Sequence, residues 1–182
     1  MENQKIVIER TGKDDIDFDG ISWAIRARSS NKDRENVNII NISSGVVVGT
    51  NGHVLHAYTT IRDIPEGSYS VLSDTKKMIM LEKSELDFPD YERAFPQHTH
   101  NRIKPFCGAS KCQGQVSHSS KIINHVLKQS PAFFDTDYLS TACPEGEDLI
   151  FRQAEDPKGP LVIRNEDYSK AALVMPYLGG FE

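Results

Sequence analysis

Four side chains close together in the chain have the chemistry of metal ligands: His98 and His100, then Cys107 and Cys112. Imidazole and thiolate are ligands that zinc favours, so a His-x-His followed by Cys-x4-Cys is able to hold it, though the spacing matches none of the common zinc modules. The plainer reading makes them polar loop histidines and small buried cysteines. Cys143 and Ser140 are nucleophile types with a histidine only at a distance. The carboxylate pairs Asp14-Asp15 and Asp135/Asp137 sit where helix caps and strand edges use them. There is no Gly-rich phosphate loop, no Gly-x-Ser-x-Gly elbow and no His-Glu-x-x-His helix, so the expectation is a protein that is not an enzyme and carries no cofactor. Lys121, His125 and Lys128 recur at i, i+4 and i+7, which on a helix gives one basic face directed away from Ile123 and Leu127. Arg26, Arg28, Lys32 and Arg34 surround an earlier helix. Such faces suit phosphate, through contacts that are salt-sensitive and blind to base sequence, but scattered Lys and Arg also simply solvate a helix.

Composition narrows the classes. A chain of 182 residues holds one domain or two small ones, with a core that needs no disulfide staples. No apolar run approaches the length of a membrane span, and no basic-then-apolar leader opens the chain. Three cysteines make an odd count without framework spacing, which favours a reducing compartment. The expectation is a soluble cytoplasmic protein with no membrane partner. A net charge of −5 argues against bulk adsorption to nucleic acid and leaves room for a local basic face.

The elements that must position these residues follow from hydrophobic period and turn chemistry. Lys5–Glu9 reads as a strand before the turn-like Thr11-Gly12-Lys13. A helix follows, capped by Asp17 or Asp19, with Phe18, Ile21, Ala24 and Ile25 on one face, widened by Trp23 and Ala27. Val37–Ile42 partly alternates, Ser43-Ser44-Gly45 turns, and a β-branched run and a second strand-like run meet at Asn51-Gly52, a dipeptide suited to the positive φ angles of a tight hairpin. Ser68–Leu72 is a further strand, and Asp74 is expected to cap a short helix through Met78, Ile79 and Leu81. Residues 84–110 carry three prolines and little pattern. The second half repeats this order: a strand near Gly114–Val116, a helix capped around Ser117–Ser120 with Ile122, Ile123, Val126 and Leu127 as its face, then strands at 133–139, 148–152, 160–164 and 170–177. Pro144-Glu145-Gly146 and Pro157-Lys158-Gly159 supply turns. The expected division is a first module over 1–96, a connector over 97–114 and a second module over 115–182, together one compact domain.

Three segments, in order, resemble the bacterial DNA sliding clamp, the β subunit of DNA polymerase III. Thr50-Asn51-Gly52-His53-Val54-Leu55 is similar to the family's Thr-Asp-Gly-His-Arg-Leu turn. Phe88-Pro89-Asp90-Tyr91-Glu92-Arg93-Ala94-Phe95-Pro96 resembles its Phe-Pro-Asp-Tyr/Phe-Arg-Arg-Val-Leu-Pro segment, and Leu173-Val174-Met175-Pro176-Tyr177-Leu178 its C-terminal Val-Val-Met-Pro-Met-Arg-Leu. Val54 stands where the family has Arg, and Gly179–Glu182 extends past the family's usual end. The resemblance implies an α+β, DNA-clamp-like fold: two strand-helix-strands modules forming antiparallel sheets with helices on one face.

It also implies function. In the family these segments line a hydrophobic cleft that receives linear peptides of polymerases and other replication and repair proteins. Carried over, the cleft residues are Thr50, Gly52, His53, Val54 and Leu55, then Pro89, Arg93 and Ala94, then Leu173, Val174, Met175, Pro176, Tyr177 and Leu178. Clamp helices face DNA, so Arg26, Arg28, Lys32, Lys121, His125 and Lys128 are the DNA-facing candidates for duplex bound without sequence specificity. Bacterial clamps close as dimers of three-domain chains; this chain, read as one such domain, would need a homo-oligomer of about six copies to close a ring. The expected function is therefore a sliding-clamp-like processivity factor of DNA replication. A non-ring, clamp-like peptide-binding regulator or decoy of clamp-binding proteins is the alternative, and a metal-binding protein held by His98, His100, Cys107 and Cys112 is the third.

Overall fold

Asp15 opens helix α1 (Ile16–Ile25). Its carboxylate accepts from the Phe18 N–H at 3.0 Å and from both the N–H and the hydroxyl of Thr11 at 2.8 Å. Those bonds, the Thr11 N–H first among them, hold the carboxyl well below the usual carboxylate range. The cap is thus neither Asp17 nor Asp19, as the sequence pattern suggested. Asp17 is buried and accepts from Tyr58 Oη at 3.1 Å, Thr60 Oγ1 at 3.0 Å, Ile61 N at 3.0 Å and Arg62 Nε at 2.9 Å. Arg62 also reaches Asp15 at 2.7 Å, so cap and buried carboxylate share one guanidinium. Asp19 pairs with Arg10. A buried carboxylate is tolerated only with such partners; stripped of them it costs several kcal/mol, as a rough scale.

The computed structural model describes residues 4–31, 33–100, 103–106, 118–144, 146–156 and 158–177. The chain divides into two compact units, Met1–Pro89 and Asp90–Glu182.

In the first unit α1 packs on an antiparallel sheet of six strands: β1 (Lys5–Glu9), β2 (Ile39–Ser43), β3 (Val46–Thr50), β4 (Val54–Thr59), β5 (Gly67–Asp74) and β6 (Met78–Lys83). Their order across the sheet is β1-β6-β5-β2-β3-β4. Phe18, Ile21, Ala24 and Ile25 are buried as the helical period requires, with Ile40, Ile42, Val47, Val48, Tyr69, Ile79 and Leu81 from the strands. Close contact between helix and sheet depends on two glycines. A Cβ on Gly49 would stand 2.4 Å from the Ala24 carbonyl oxygen, and one on Gly20 would stand 2.3 Å from the Tyr58 ring.

The paired positive φ angles expected at Asn51-Gly52 lie instead at Ser44-Gly45, itself an expected turn. Ser44 and Gly45, at φ 50° and 75°, make the two-residue turn between β2 and β3, where Ser43 pairs with Val46. At the next reversal only Gly52 has positive φ, 88°, and the turn is centred on Gly52-His53, with Asn51 N donating to Val54 O at 3.2 Å.

The second unit contains β7 (Thr99–His100), α2 (His118–Leu127), α3 (Thr136–Ala142), β8 (Leu149–Ala154), β9 (Leu161–Asn165) and β10 (Lys170–Val174). Its antiparallel sheet runs β10-β9-β8-β7. Ile122 and Val126 of α2, Leu139 of α3 and Leu149, Phe151, Ile163, Leu173 and Val174 of the strands form its core. Lys170 is buried and paired with Glu147, whose second oxygen accepts from Asn165 Nδ2 at 3.1 Å. Among the described residues no helix is long and apolar enough to cross a membrane.

Two expected elements are of the other type. Residues 74–81 form no helix: Thr75-Lys76-Lys77 turns β5 into β6, where Ile79 and Leu81 are buried and Met78 and Met80 half-buried, a period of two. Residues 133–139 form no strand, because the Asp135 carboxylate accepts from the N–H groups of Asp137 and Tyr138 and starts α3; only Phe134 makes a bridge, to Pro176. The last strand stops at Val174, before Pro176, which has no N–H to donate. The expected strand at Gly114–Val116 lies outside the described residues.

Candidate functional site

The Thr50–Leu55 turn is fixed by its own side chains. Thr50 Oγ1 donates to Val54 O at 2.7 Å and accepts from Gly52 N at 3.0 Å, while Asn51 Oδ1 accepts from His53 N at 2.8 Å and Val54 N at 2.9 Å. Arg34 Nη1 donates to Asn51 O at 2.8 Å. Of the five cleft candidates here, Thr50, Val54 and Leu55 are buried, and Gly52 and His53 are exposed. Val54 and Leu55 therefore act first as core, and the turn offers solvent its backbone, Gly52 and the His53 ring.

Pro89 is half-buried. In the second unit a single turn of 3-10 helix, Glu92–Ala94, presents Arg93 and Ala94 to solvent, and Arg93 Nε lies 2.7 Å from Asp90 Oδ2. With both side chains more than half exposed, that pair adds little stability and is free to exchange partners.

After β10 the chain alternates. Leu173, Val174 and Pro176 are buried, whereas Met175 is 37% and Tyr177 69% exposed. Leu178 lies outside the described residues. Tyr177 N donates to Phe133 O at 2.7 Å, and Phe133 is 59% exposed. A flexible thioether and two aromatic side chains are thus offered to solvent on neighbouring segments. Phe133 escaped the sequence reading because it was assigned to a strand; the signal that finds it is the Asp135 cap two residues on, which leaves Phe133 outside the helix.

The cationic candidates separate. Arg26 is exposed just past α1. It lines a concavity of about 550 Å³ with Arg10, Lys13 and Lys76, and with the carboxylates of Asp19 and Asp74. Arg10 stacks over the Phe18 ring at 4.4 Å. The sequence reading missed Arg10, Lys13 and Lys76, which lie just past β1, in the loop before the helix and in the β5–β6 turn. Arg28 is half-buried, donates to Asn38 Oδ1 at 2.9 Å, and has its pKa lowered by burial. Lys32 lies outside the described residues. Lys128, just past α2, is exposed and Lys121 on it half-buried, while His125 Nε2 donates to Lys104 O at 2.7 Å and its ring lies 5.4 Å from Phe106 and 6.0 Å from Phe151. His125 is therefore engaged in fixing the Lys104–Phe106 segment.

His98 and His100 are exposed, and His100 Nε2 is 3.8 Å from Glu155 Oε1; Cys107 and Cys112 lie outside the described residues. Among the described residues no group of three or more His, Cys, Asp or Glu side chains is arranged to hold a metal. Burial pushes the Cys143 thiol up, the opposite of what a nucleophile needs. His56, unremarked in the sequence, is fully buried and stacked on Trp23 at 4.2 Å; its Nδ1 donates to Trp23 O at 2.9 Å, and Nε2 has no partner among the described residues.

No protein-family model and no curated protein matches the sequence. Solved structures do match. The DNA polymerase sliding clamp of Bacillus subtilis aligns with TM-score 0.61 at 12% identity, over 98% of this chain and 65% of that one. The β subunit from the DNA polymerase of Streptococcus pyogenes gives 0.60 at 11%, over 97% and 66%, and the DNA polymerase III β subunit of Thermotoga maritima gives 0.56 at 12%, also over 97% and 66%. The chain spans about two thirds of the length of these structures. At such identity the likeness establishes architecture: the chain has the α+β fold of bacterial sliding clamps, with antiparallel sheets and three helices among the described residues.

Proposed function

We propose that this chain is a sliding-clamp-like binding protein, a processivity factor or a minimal relative of one, that receives a linear peptide of a DNA polymerase or another replication or repair protein. The observation that carries the reading is the display of Met175 and Tyr177 beyond β10, beside Phe133, in a chain with a clamp's fold. Fold alone does not assign function, so the weight rests on these side chains. A thioether adapts its shape to a partner, and aromatic anchors carry a disproportionate share of peptide affinity. The exposed members of the carried-over set in the second unit, Arg93, Ala94, Met175 and Tyr177, are the proposed contact residues; Gly52 and His53 are its exposed members in the first unit. The buried members, Thr50, Val54, Leu55, Leu173, Val174 and Pro176, support them from the core. The Arg10, Lys13, Arg26 and Lys76 concavity is proposed to meet the phosphates of duplex DNA, with no sequence preference.

The test is fluorescence anisotropy with a labelled linear peptide of the kind that binds bacterial clamps. Met175→Ala with Tyr177→Ala should weaken binding by more than about tenfold, since two anchors are lost. Unchanged affinity in a correctly folded variant would overturn the assignment. A monomer with no affinity for DNA would favour a second reading, a regulator that binds such peptides without encircling DNA.

A further inference from the structure

The Asn51–His53 turn places an amide and a nucleophile together. Asn51-Gly52 is the only Asn-Gly pair in the sequence, and asparagine is a thermolabile residue. Backbone nitrogen attacks a side-chain amide most readily when the following residue is glycine, because no side chain obstructs ring closure. The turn adds two features. Asn51 Oδ1 accepts from the N–H groups of His53 and Val54 at 2.8 and 2.9 Å, which fixes the amide's orientation and puts two donors on the atom where negative charge develops when Cγ is attacked. The Gly52 N–H points at Thr50 Oγ1, 3.0 Å away, and that hydroxyl in turn donates to Val54 O. The amide is held as an electrophile and the nitrogen is polarised as a nucleophile.

We propose that Asn51 is a self-modification site, converted through a cyclic imide to aspartate within the folded turn. Solvent hydroxide removes the Gly52 amide proton. The nitrogen forms a bond to Asn51 Cγ, charge passes to Oδ1, and Nδ2 departs as ammonia with a proton from water. Water then adds to the imide. Cleavage of the bond between Gly52 N and the side-chain Cγ leaves an ordinary aspartate; cleavage at the backbone carbonyl leaves an isoaspartyl link. The sum is one water consumed and one ammonia released. The turn favours the ordinary product, because a carboxylate at position 51 accepts the same two N–H groups more strongly than an amide does. Arg34 adds a fixed cation: its Nη1 bonds Asn51 O at 2.8 Å, and its Nη2 lies 2.8 Å from where a Cβ on Gly52 would stand. An isoaspartyl link lengthens the backbone by one carbon and breaks the pairing of Thr50 with Leu55.

The experiment compares the full chain folded in buffer with the same chain in guanidinium, both at mildly alkaline pH, by peptide mapping that separates Asp from isoAsp. Conversion at Asn51 should run about tenfold faster in the folded chain, well below the roughly hundredfold that one oxyanion donor supplies in an enzyme site. Aspartate should exceed isoaspartate, and the other asparagines should remain intact. Thr50→Val, with its fold checked by circular dichroism, should slow the reaction, and Gly52→Ala should nearly stop it. Conversion equal to or slower than that in guanidinium would mean that the turn shields Asn51, and the proposal fails.

Discussion

His56 occupies a fully buried position against Trp23, and its ring must stay neutral to remain there. Burial pushes its pKa from 6.5 down to about 4. Above pH 6.5 the imidazole is neutral in folded and unfolded chains alike and adds no pH dependence. As pH falls from 6.5 towards 4 the unfolded chain alone takes up the proton, so stability drops by about 3 kcal/mol across that window. Asp15 acts lower on the scale: its folded carboxyl is depressed, so its contribution is present above the unfolded value of 3.8 and is lost as pH falls below it. Denaturant unfolding from pH 7 to pH 4 should show the first loss, and His56→Phe should flatten it; an equal slope in that variant would assign the loss to other groups. At this scale the sequence was only partly legible. Among the cleft candidates, Leu55, Leu173 and Val174 share with Met175 and Tyr177 an apolar character that composition cannot divide. The division into core and surface comes from packing, which buries the adjacent Leu173 and Val174 alike, and from where β10 stops, which is tertiary information.

Elements were legible where period and punctuation agreed. The α1 face, the β2–β3 turn at Ser44-Gly45 and the three late strands follow from their residues directly. Reading failed where two signals competed. Asp74 looked like a cap and Met78–Leu81 like a helical face, yet the alternate burial of Ile79 and Leu81 decided for a strand. Phe133-Phe134 looked like a strand, yet the Asp135 carboxylate decided for a helix. Nor does a sequence reveal why Gly49 is glycine. Its Cβ position, 2.4 Å from the Ala24 carbonyl, makes it the point at which α1 touches β3. Gly49→Ala should therefore destabilise the fold by about 1–3 kcal/mol through overpacking. Gly12→Ala, with nothing within 4 Å of the new atom, should stay within about 0.5 kcal/mol of the parent. Denaturation midpoints of the two variants check the contrast, and equal midpoints would refute the packing account.

For the whole molecule the question is how many chains act together. A ring, as the processivity reading proposes, closes from several copies that repeat one interface. Light scattering should then give a defined higher oligomer that is retained on circular duplex DNA and released when the circle is cut, with retention falling as salt rises. A monomer indifferent to DNA would leave the peptide-binding regulator as the surviving function.

Trp23 is the only tryptophan in the chain, and it lies in the first unit, 8% exposed and stacked on His56. Its emission is consequently an optical reporter seated in the unit that ends at Pro89. Recorded against far-ultraviolet ellipticity, which samples every helix and strand, it distinguishes one cooperative melting transition from two without any label or substitution.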